Sequence, residues 1–196
     1  MGILCNNIGM EKKRFRIYFN APITMGFVGI CCAALLLQYM TAYASTFYVF
    51  STYGTSLLDP LTYIRLIGHI FGHADINHLV SNMMYILLLG PMLEEKYHDR
   101  LIVVILVTAL VTGIVHNIVA PDIQLLGASG VVFAFILLSS ITGDEAGIPI
   151  TLIIVAIMWI GGEIYDGLMF ADSVSQLTHI LGGLVGAVVG MMFKNN

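Results

Sequence analysis

The sequence predicts an all-α polytopic membrane protein with about six transmembrane helices. Hydrophobic residues make up 58% of the 196 residues, and charged residues make up only 10%, whereas a soluble domain carries roughly 25% charge. The apolar residues also form long runs, unlike the narrow stripes of helices that face water on one side. At this length we expect a single membrane-embedded domain over residues 1–196, without a separate soluble module.

Six apolar segments follow one another along the chain, and turn or charge signals separate them. They cover residues 22–44, 78–93, 101–120, 129–142, 149–168 and 177–193. The first run exceeds the roughly 7–15 apolar residues of a signal peptide, so it is interpreted as a membrane helix. The stretch 45–77 is partly apolar and has no clean span, so we expect a long, structured first loop that lies in the membrane interface.

The distribution of basic residues predicts the orientation in the membrane. If the N-terminal segment 1–20 is cytoplasmic, Arg65 alone of the eight Lys and Arg residues falls on the outer side. This asymmetry satisfies the positive-inside rule and places both termini in the cytoplasm. The cytoplasmic set is Lys12, Lys13, Arg14, Arg16, Lys96, Arg100 and Lys194.

Composition also excludes several classes of function. The net charge of −4 and a pI of about 5.8 leave no basic surface for nucleic acid. Cys5, Cys31 and Cys32 have neither the even number of a disulfide framework nor the spacing of a zinc site. No HExxH motif of a zinc protease occurs. We therefore expect no metal and no cofactor.

The fourth segment is too short to cross a bilayer. As a helix, residues 129–142 would cover ~21 Å of a ~30 Å apolar core. If the segment ends at the cytoplasmic face, Ser129 starts a helix inside the membrane. Unpaired backbone groups at that depth are tolerated only beside protein or a water-filled cavity. The same helical rise of ~1.5 Å per residue, counted from the cytoplasmic face, puts His179, His78 and Asn82 at a similar depth in the membrane.

Ser129 lies in the sequence Gly127-Ala128-Ser129-Gly130. The glycines permit a sharp turn, and a helix that starts here points free N–H groups into the cavity, where they favour negative charge. A nucleophilic serine with an oxyanion site is one interpretation. Small residues that serve helix packing are the other.

His179 begins a helical stripe of small residues formed by Gly182, Gly186 and Gly190. Such a stripe brings a neighbouring helix close, and the segment that starts at Ser129 is a natural partner. His179 would then act as general base for Ser129. The alternative is a histidine that only makes a hydrogen bond between helices, although an ionisable group inside the membrane favours function.

His78 and Asn82 lie four residues apart on one helix face. Both side chains can donate hydrogen bonds to a tetrahedral oxyanion. Asp166 and Glu163 are possible but unsupported partners for His179, so a Ser129–His179 dyad is the simpler prediction.

Together these motifs resemble the rhomboid family of intramembrane serine proteases, in its minimal six-helix bacterial type. The resemblance covers residues 61–191 and includes Glu94 and a first-loop set of Arg65, His69 and His73. It implies that Ser129 is the nucleophile and His179 the general base and acid. His78, Asn82 and the Ser129 backbone N–H would form the oxyanion hole, and Phe133 would pack against His179. His69, His73 and Glu94 would be structural.

The resemblance also implies the activity and its place in the cell. It implies an endopeptidase in the bacterial plasma (inner) membrane, which cleaves in or near transmembrane helices of protein substrates and requires the lipid bilayer. Two departures stand out: Ile64 precedes Arg65 where the family usually has tryptophan, and Glu163 lies in a usually uncharged stretch. One alternative is a catalytically silent rhomboid-like protein that binds or escorts membrane helices. Another is a transporter or metal site that uses His69, His73 and His78.

Overall fold

The computed structural model describes residues 18–141, 149–158, 161 and 173–194. The cytoplasmic segment predicted for residues 1–20 therefore lies almost wholly outside the described residues. So do Cys5, Glu163, Asp166 and residues 159, 160 and 162–168 of the predicted fifth segment.

The described part of the chain is helical, with one isolated β-bridge between Thr52 and Leu125. Eight helices are present in this part, and a 3-10 turn, His69–Phe71, follows the third. The helices are α1 Pro22–Met40, α2 Ala44–Tyr48, α3 Pro60–Gly68, α4 Ile76–Tyr97, α5 Arg100–Val119, α6 Ser129–Ser139, α7 residues 150–158 and α8 Ser173–Lys194.

Among the described residues, three helices are long and apolar enough to cross a membrane. These are α1, α4 and α5, with 19, 22 and 20 residues, and roughly 20 apolar residues span a bilayer. Two shorter apolar stretches, Ser129–Ser139 in α6 and Leu177–Phe193 within α8, accompany them in the part of the chain that the structure describes. The chain is thus an integral membrane protein by length and composition of its helices.

The predicted helix ends shift by a few residues. The first segment was predicted to reach residue 44, but α1 ends at Met40, because Ala42 and Tyr43 have positive φ angles of 46° and 70°, which a helix does not permit. At the other end, Pro22 occupies the first turn of α1, where its missing N–H costs no bond. Helix α4 begins at Ile76, two residues before the predicted start, because the side chain of Asp75 accepts the His78 N–H and caps the helix.

Charged side chains at the junction of α4 and α5 bind the ends of three other helices on one side of the bundle. The Glu94 carboxylate accepts backbone N–H groups at the start of α1. Lys96 Nζ donates to the carbonyl of Ile141, just beyond α6, at 3.4 Å, and Arg100 donates to that of Phe193 in α8 at 3.3 Å. The charges match the helix dipole, with the acid at an N-terminus and the bases at C-termini.

Helices α6 and α8 pack with almost no space between their backbones. A Cβ atom added to Gly182 would lie 2.6 Å from Gly130 Cα, and one added to Gly186 would lie 2.6 Å from Ala134 Cα. The glycine stripe of α8 therefore does face the segment that starts at Ser129, as predicted. This contact fixes the register between the two helices.

Arg65 stabilises the chain between α1 and α4. Its guanidinium is 2% exposed and donates to Thr55 Oγ1 at 2.7 Å and to Asp59 Oδ2 at 3.1 Å. Tyr53 lies beneath the same group, with its ring centroid 4.9 Å away, which is a cation–π distance. Ile64, at the position where the resemblance expects tryptophan, is 50% exposed. The arginine thus organises this stretch of chain even though its neighbour is isoleucine.

Candidate active site

The turn before α6 exposes the backbone around Ser129. Gly127 has a φ of +129°, which residues with a side chain rarely adopt. Ala128 is the N-cap and makes no side-chain capping bond, so Ser129 is the first residue of α6. The first N–H groups of a helix have no partner within that helix and attract negative charge. The Ser129 hydroxyl therefore lies beside a backbone able to bind an anion.

The segment before Ser129 is attached to the chain between α1 and α4. Thr52 and Leu125 exchange two backbone hydrogen bonds of 2.9 Å each, and Gly127 N–H donates to the carbonyl of His69 at 2.9 Å. His69 is buried, and its Nδ1 faces the carbonyl oxygen of Arg65 at 3.3 Å. Burial lowers the pKa of His69 to about 4, so the ring is neutral at pH 7. It connects α3 to α5 through its hydrogen bonds with the Arg65 carbonyl and Thr112.

His78 lies in the first turn of α4 with one nitrogen already occupied. The Ala74 N–H donates to His78 Nδ1 at 3.4 Å. A neutral imidazole that accepts at Nδ1 carries its proton on Nε2. An added Cβ on Gly127 would lie 2.9 Å from His78 Nε2, so this nitrogen lies against the turn that leads to Ser129. In this tautomer the Nε2–H of His78 faces the turn at Gly127.

Asn82 contributes a second donor one helical turn further along α4. The residue is 6% exposed, and its Nδ2 is buried with no hydrogen-bond partner among the residues that the structure describes. Buried donors are nearly always paired, and an unpaired one costs free energy. An unpaired amide beside a serine hydroxyl is the arrangement expected where a negative oxygen forms only during a reaction.

His179 lies near the start of α8 and packs on Phe133 of α6. The two ring centroids are 5.0 Å apart, with an angle of 45° between the ring planes. Phe133 is one turn beyond Ser129, so the aromatic contact places the imidazole alongside the first turn of α6. The close approach of Gly182 to Gly130 holds α8 at this height.

The four predicted site residues line one cavity of about 360 Å³. His78 and Asn82 come from α4, Ser129 and Phe133 from α6, and His179 from α8. Its remaining lining is mostly apolar and includes Leu126, Val132 and Ile136. The cavity holds a hydroxyl, an imidazole and two hydrogen-bond donors in a setting of low polarity, which is a chemical set suited to acyl transfer.

Among the described residues, no three His, Cys, Asp or Glu side chains are close enough to hold a metal ion. His73 and His78 do contact each other, with ring centroids 5.0 Å apart. His69, however, uses its ring nitrogens on Arg65 and Thr112. The histidine-based metal site therefore has no support in the part of the chain that the structure describes.

Comparison with known protein families identifies the family of this chain. The model of the Rhomboid domain matches residues 60–196, which is well over half of the chain. The chain belongs to the rhomboid family. The match includes every residue of the candidate site and the whole of α4, α5, α6 and α8.

Curated relatives of this rhomboid are named rhomboid protease GlpG. The protein of Yersinia pestis (strain Pestoides F) is 24% identical over 182 residues, which cover 89% of this chain and 64% of the relative. The protein of Salmonella choleraesuis (strain SC-B67) is 26% identical over 197 aligned residues, which cover 95% of this chain and 70% of the relative. The chain thus spans about 64% of the length of the Yersinia relatives.

One polar residue near this rhomboid site escaped the sequence analysis. Gln38 in α1 is 1% exposed and donates to the carbonyl of Ala74, whose N–H holds His78. The sequence could have indicated Gln38 as a paired polar residue, because it lies inside an apolar run of membrane length and buried polar groups in a membrane need partners. The sequence could not name that partner, because Ala74 is 36 residues away.

Proposed function

We propose that this rhomboid is an intramembrane serine endopeptidase that acts through a Ser129–His179 dyad on transmembrane helices of other proteins. The observation that carries the proposal is the convergence of Ser129, His179, His78 and Asn82 on one cavity. The relatives named rhomboid protease support the same reaction. The buried Asn82 Nδ2, which has no partner among the described residues, also supports a reaction, because a purely structural role in packing would not explain an unpaired donor.

In the first half of the reaction, the Ser129 Oγ attacks the carbonyl carbon of the scissile peptide bond. The imidazole of His179 takes the hydroxyl proton, and the carbonyl oxygen becomes an oxyanion. His78 Nε2–H, Asn82 Nδ2–H and the Ser129 backbone N–H are the proposed donors to that oxygen. The tetrahedral intermediate then expels the leaving amine, which receives the proton from His179, and an acyl-enzyme remains.

In the second half, water that enters the cavity attacks the acyl carbon. His179 removes a proton from this water and returns it to Ser129 Oγ as the acyl bond breaks. The products are a new carboxylate and the regenerated enzyme. A peptide carbonyl in a regular helix is already hydrogen-bonded, so the substrate helix must unwind locally to reach the cavity.

The proposed setting is the plasma (inner) membrane of a bacterium, with six spans and both termini in the cytoplasm. The three membrane-length helices and the two shorter apolar ones support this arrangement. The pattern of basic residues supports its orientation. In that arrangement the chain between α1 and α4 lies at the outer interface, and the cavity opens toward the same side.

The test of the nucleophile is covalent labelling of the purified protein with a fluorophosphonate probe. We expect labelling of the wild type and its loss in Ser129→Ala, with an unchanged thermal melt. The matched control is Ser140→Ala, at the other end of the same helix and outside the cavity, which should keep full labelling. Labelling that survives in folded Ser129→Ala would exclude Ser129 as the nucleophile.

The substrate class is tested by incubating a panel of single-pass membrane proteins with the enzyme in liposomes. We expect cleavage of some members by the wild type and none by Ser129→Ala or His179→Ala. Sequencing of the product termini should place the cut in or near the transmembrane helix. Stable association with intact helices, without any cleavage or labelling, would instead favour the non-catalytic escort function.

A further inference from the structure

A buried glutamine lies near the end of α1 on the side of the candidate active site. Gln38 is 1% exposed, and both ends of its amide are bonded. Nε2 donates to the carbonyl oxygen of Ala74 at 3.0 Å, and Oε1 accepts from the hydroxyl of Thr46 at 2.5 Å. An amide that is bonded at both ends in an apolar setting holds both of its partners firmly.

Ala74 transmits this contact to the active site. It directly precedes Asp75, the N-cap of α4, and its carbonyl is the group that Gln38 binds. Its N–H donates to Nδ1 of His78 at 3.4 Å. Two consecutive hydrogen bonds therefore connect the side chain of Gln38 to the imidazole of His78.

Other contacts confine the His78 ring without selecting the nitrogen that carries its proton. The ring of His73 packs against it at 69°, with centroids 5.0 Å apart. Nδ1 of His73 bonds to the carbonyl of Phe71, and its Nε2 has no partner among the described residues. Gly127 limits the ring on the side of the serine turn. The Ala74 N–H is thus the contact that assigns the tautomer.

We propose that Gln38 is a positioning residue that, through Ala74, keeps His78 in the tautomer with its proton on Nε2. In that tautomer His78 presents an N–H toward Ser129, as the oxyanion hole requires. Without the Gln38 amide, the Ala74 carbonyl loses its hydrogen bond to α1. The Ala74 N–H then leaves Nδ1 for part of the time, and the ring samples both tautomers. The catalytic meaning rests on the proposed function, whereas the tautomer can be measured independently of activity.

The direct test is nitrogen NMR of the protein labelled with [15N]histidine in detergent micelles. His78→Phe identifies the His78 signals by their loss. We expect the wild type to show the Nε2–H tautomer and Gln38→Leu, which keeps the bulk but lacks the amide, to show a mixture. Gln38→Met serves as a second variant if Gln38→Leu fails to fold. An unchanged tautomer in a folded Gln38 variant overturns the proposal.

The kinetic test uses a cleaved membrane-protein substrate. Removal of an oxyanion donor costs roughly 10²–10³-fold in kcat, and a partly misoriented donor should cost about tenfold, with KM within about twofold. The loss should vanish in a His78→Phe background, because no donor remains to be positioned. Thr24→Val is the matched control, since it removes a buried hydrogen bond from the opposite end of α1 and should leave kcat within about twofold.

These outcomes separate the two proposals. Equal losses from Gln38→Leu in the wild-type and His78→Phe backgrounds would show that Gln38 acts only on stability, which overturns its positioning role. A tautomer that shifts as expected in a protein without Ser129-dependent turnover would retain the positioning role and reject the protease.

Discussion

Glu94 and Thr24 lie 70 residues apart in the sequence and are joined by two hydrogen bonds. Oε2 of Glu94 accepts from the backbone N–H of Thr24 at 2.9 Å and from its hydroxyl at 2.8 Å. Oε1 accepts from the N–H of Ile23 at 2.8 Å. One carboxylate from α4 therefore caps the start of α1, where a buried helix end would otherwise leave its N–H groups unpaired.

Glu94→Gln should destabilise the protein by about 2 kcal/mol, because hydrogen bonds to a charged acceptor are worth more than neutral ones and an amide cannot accept all three. The measurement is thermal unfolding in detergent, followed by circular dichroism. Glu95→Gln is the control, since Glu95 is exposed and exposed substitutions change stability by only about 0.5 kcal/mol. Equal shifts in both variants would contradict the capping role.

Asn82→Ala should reduce kcat by about 10²-fold while KM changes little, because the lost donor would act on the transition state more than on bound substrate. The thermal melt should not fall, since Nδ2 has no partner to lose among the described residues. Asn77→Ala, an exposed position on the first turn of the same helix, is the control. Unchanged turnover in Asn82→Ala would remove Asn82 from the oxyanion hole.

Gly186→Ala should destabilise the protein by about 1–3 kcal/mol, the usual cost of overpacking. The new Cβ would lie 2.1 Å from Ala134 Cβ and 2.6 Å from Ala134 Cα, so α8 must move away from α6. Turnover should fall as well, because His179 and Ser129 lie on these two helices. Gly26→Ala in α1, where no atom lies within 4 Å of the new Cβ, should melt at or above the wild-type temperature.

Asp59 should give the melting temperature an acid dependence. The Leu61 N–H, and secondarily Arg65, hold the pKa of the Asp59 carboxyl below its usual value. Because the pKa of Asp59 is lower in the folded state than in the unfolded state, the carboxylate stabilises the fold at pH values above the unfolded pKa of about 3.9. This stabilisation is lost as the pH falls through the folded pKa. The melting difference between wild type and Asp59→Asn should be constant from about pH 8 to 5 and shrink below about pH 4.

Asn at position 59 keeps the capping bond to Leu61, because asparagine caps helices as well as aspartate does. The comparison therefore isolates the charge that faces Arg65 across 3.1 Å. A difference that persists at pH 3 would assign the effect to something other than this carboxylate.

The sequence by itself determined the features that depend on neighbouring residues. The fourth apolar segment predicted a helix that starts at Ser129, and α6 begins there. Gly127 predicted a sharp turn before it, because local φ preferences decide such a turn. The spacing of four residues placed His78 and Asn82 on one face of α4, since helical geometry fixes that relation. The glycines of α8 predicted a close helix partner for the same kind of reason.

Only the tertiary structure decided which distant groups meet. Membrane-spanning helices are apolar all round, so their hydrophobic pattern does not reveal which face meets which neighbour. The cap of Glu94 on Thr24 and the hydrogen bond of Gln38 to Ala74 each join residues 36 or more positions apart. The unpaired Nδ2 of Asn82 likewise depends on what surrounds it. Sequence spacing named the site residues, and long-range packing set the hydrogen bonds that orient them.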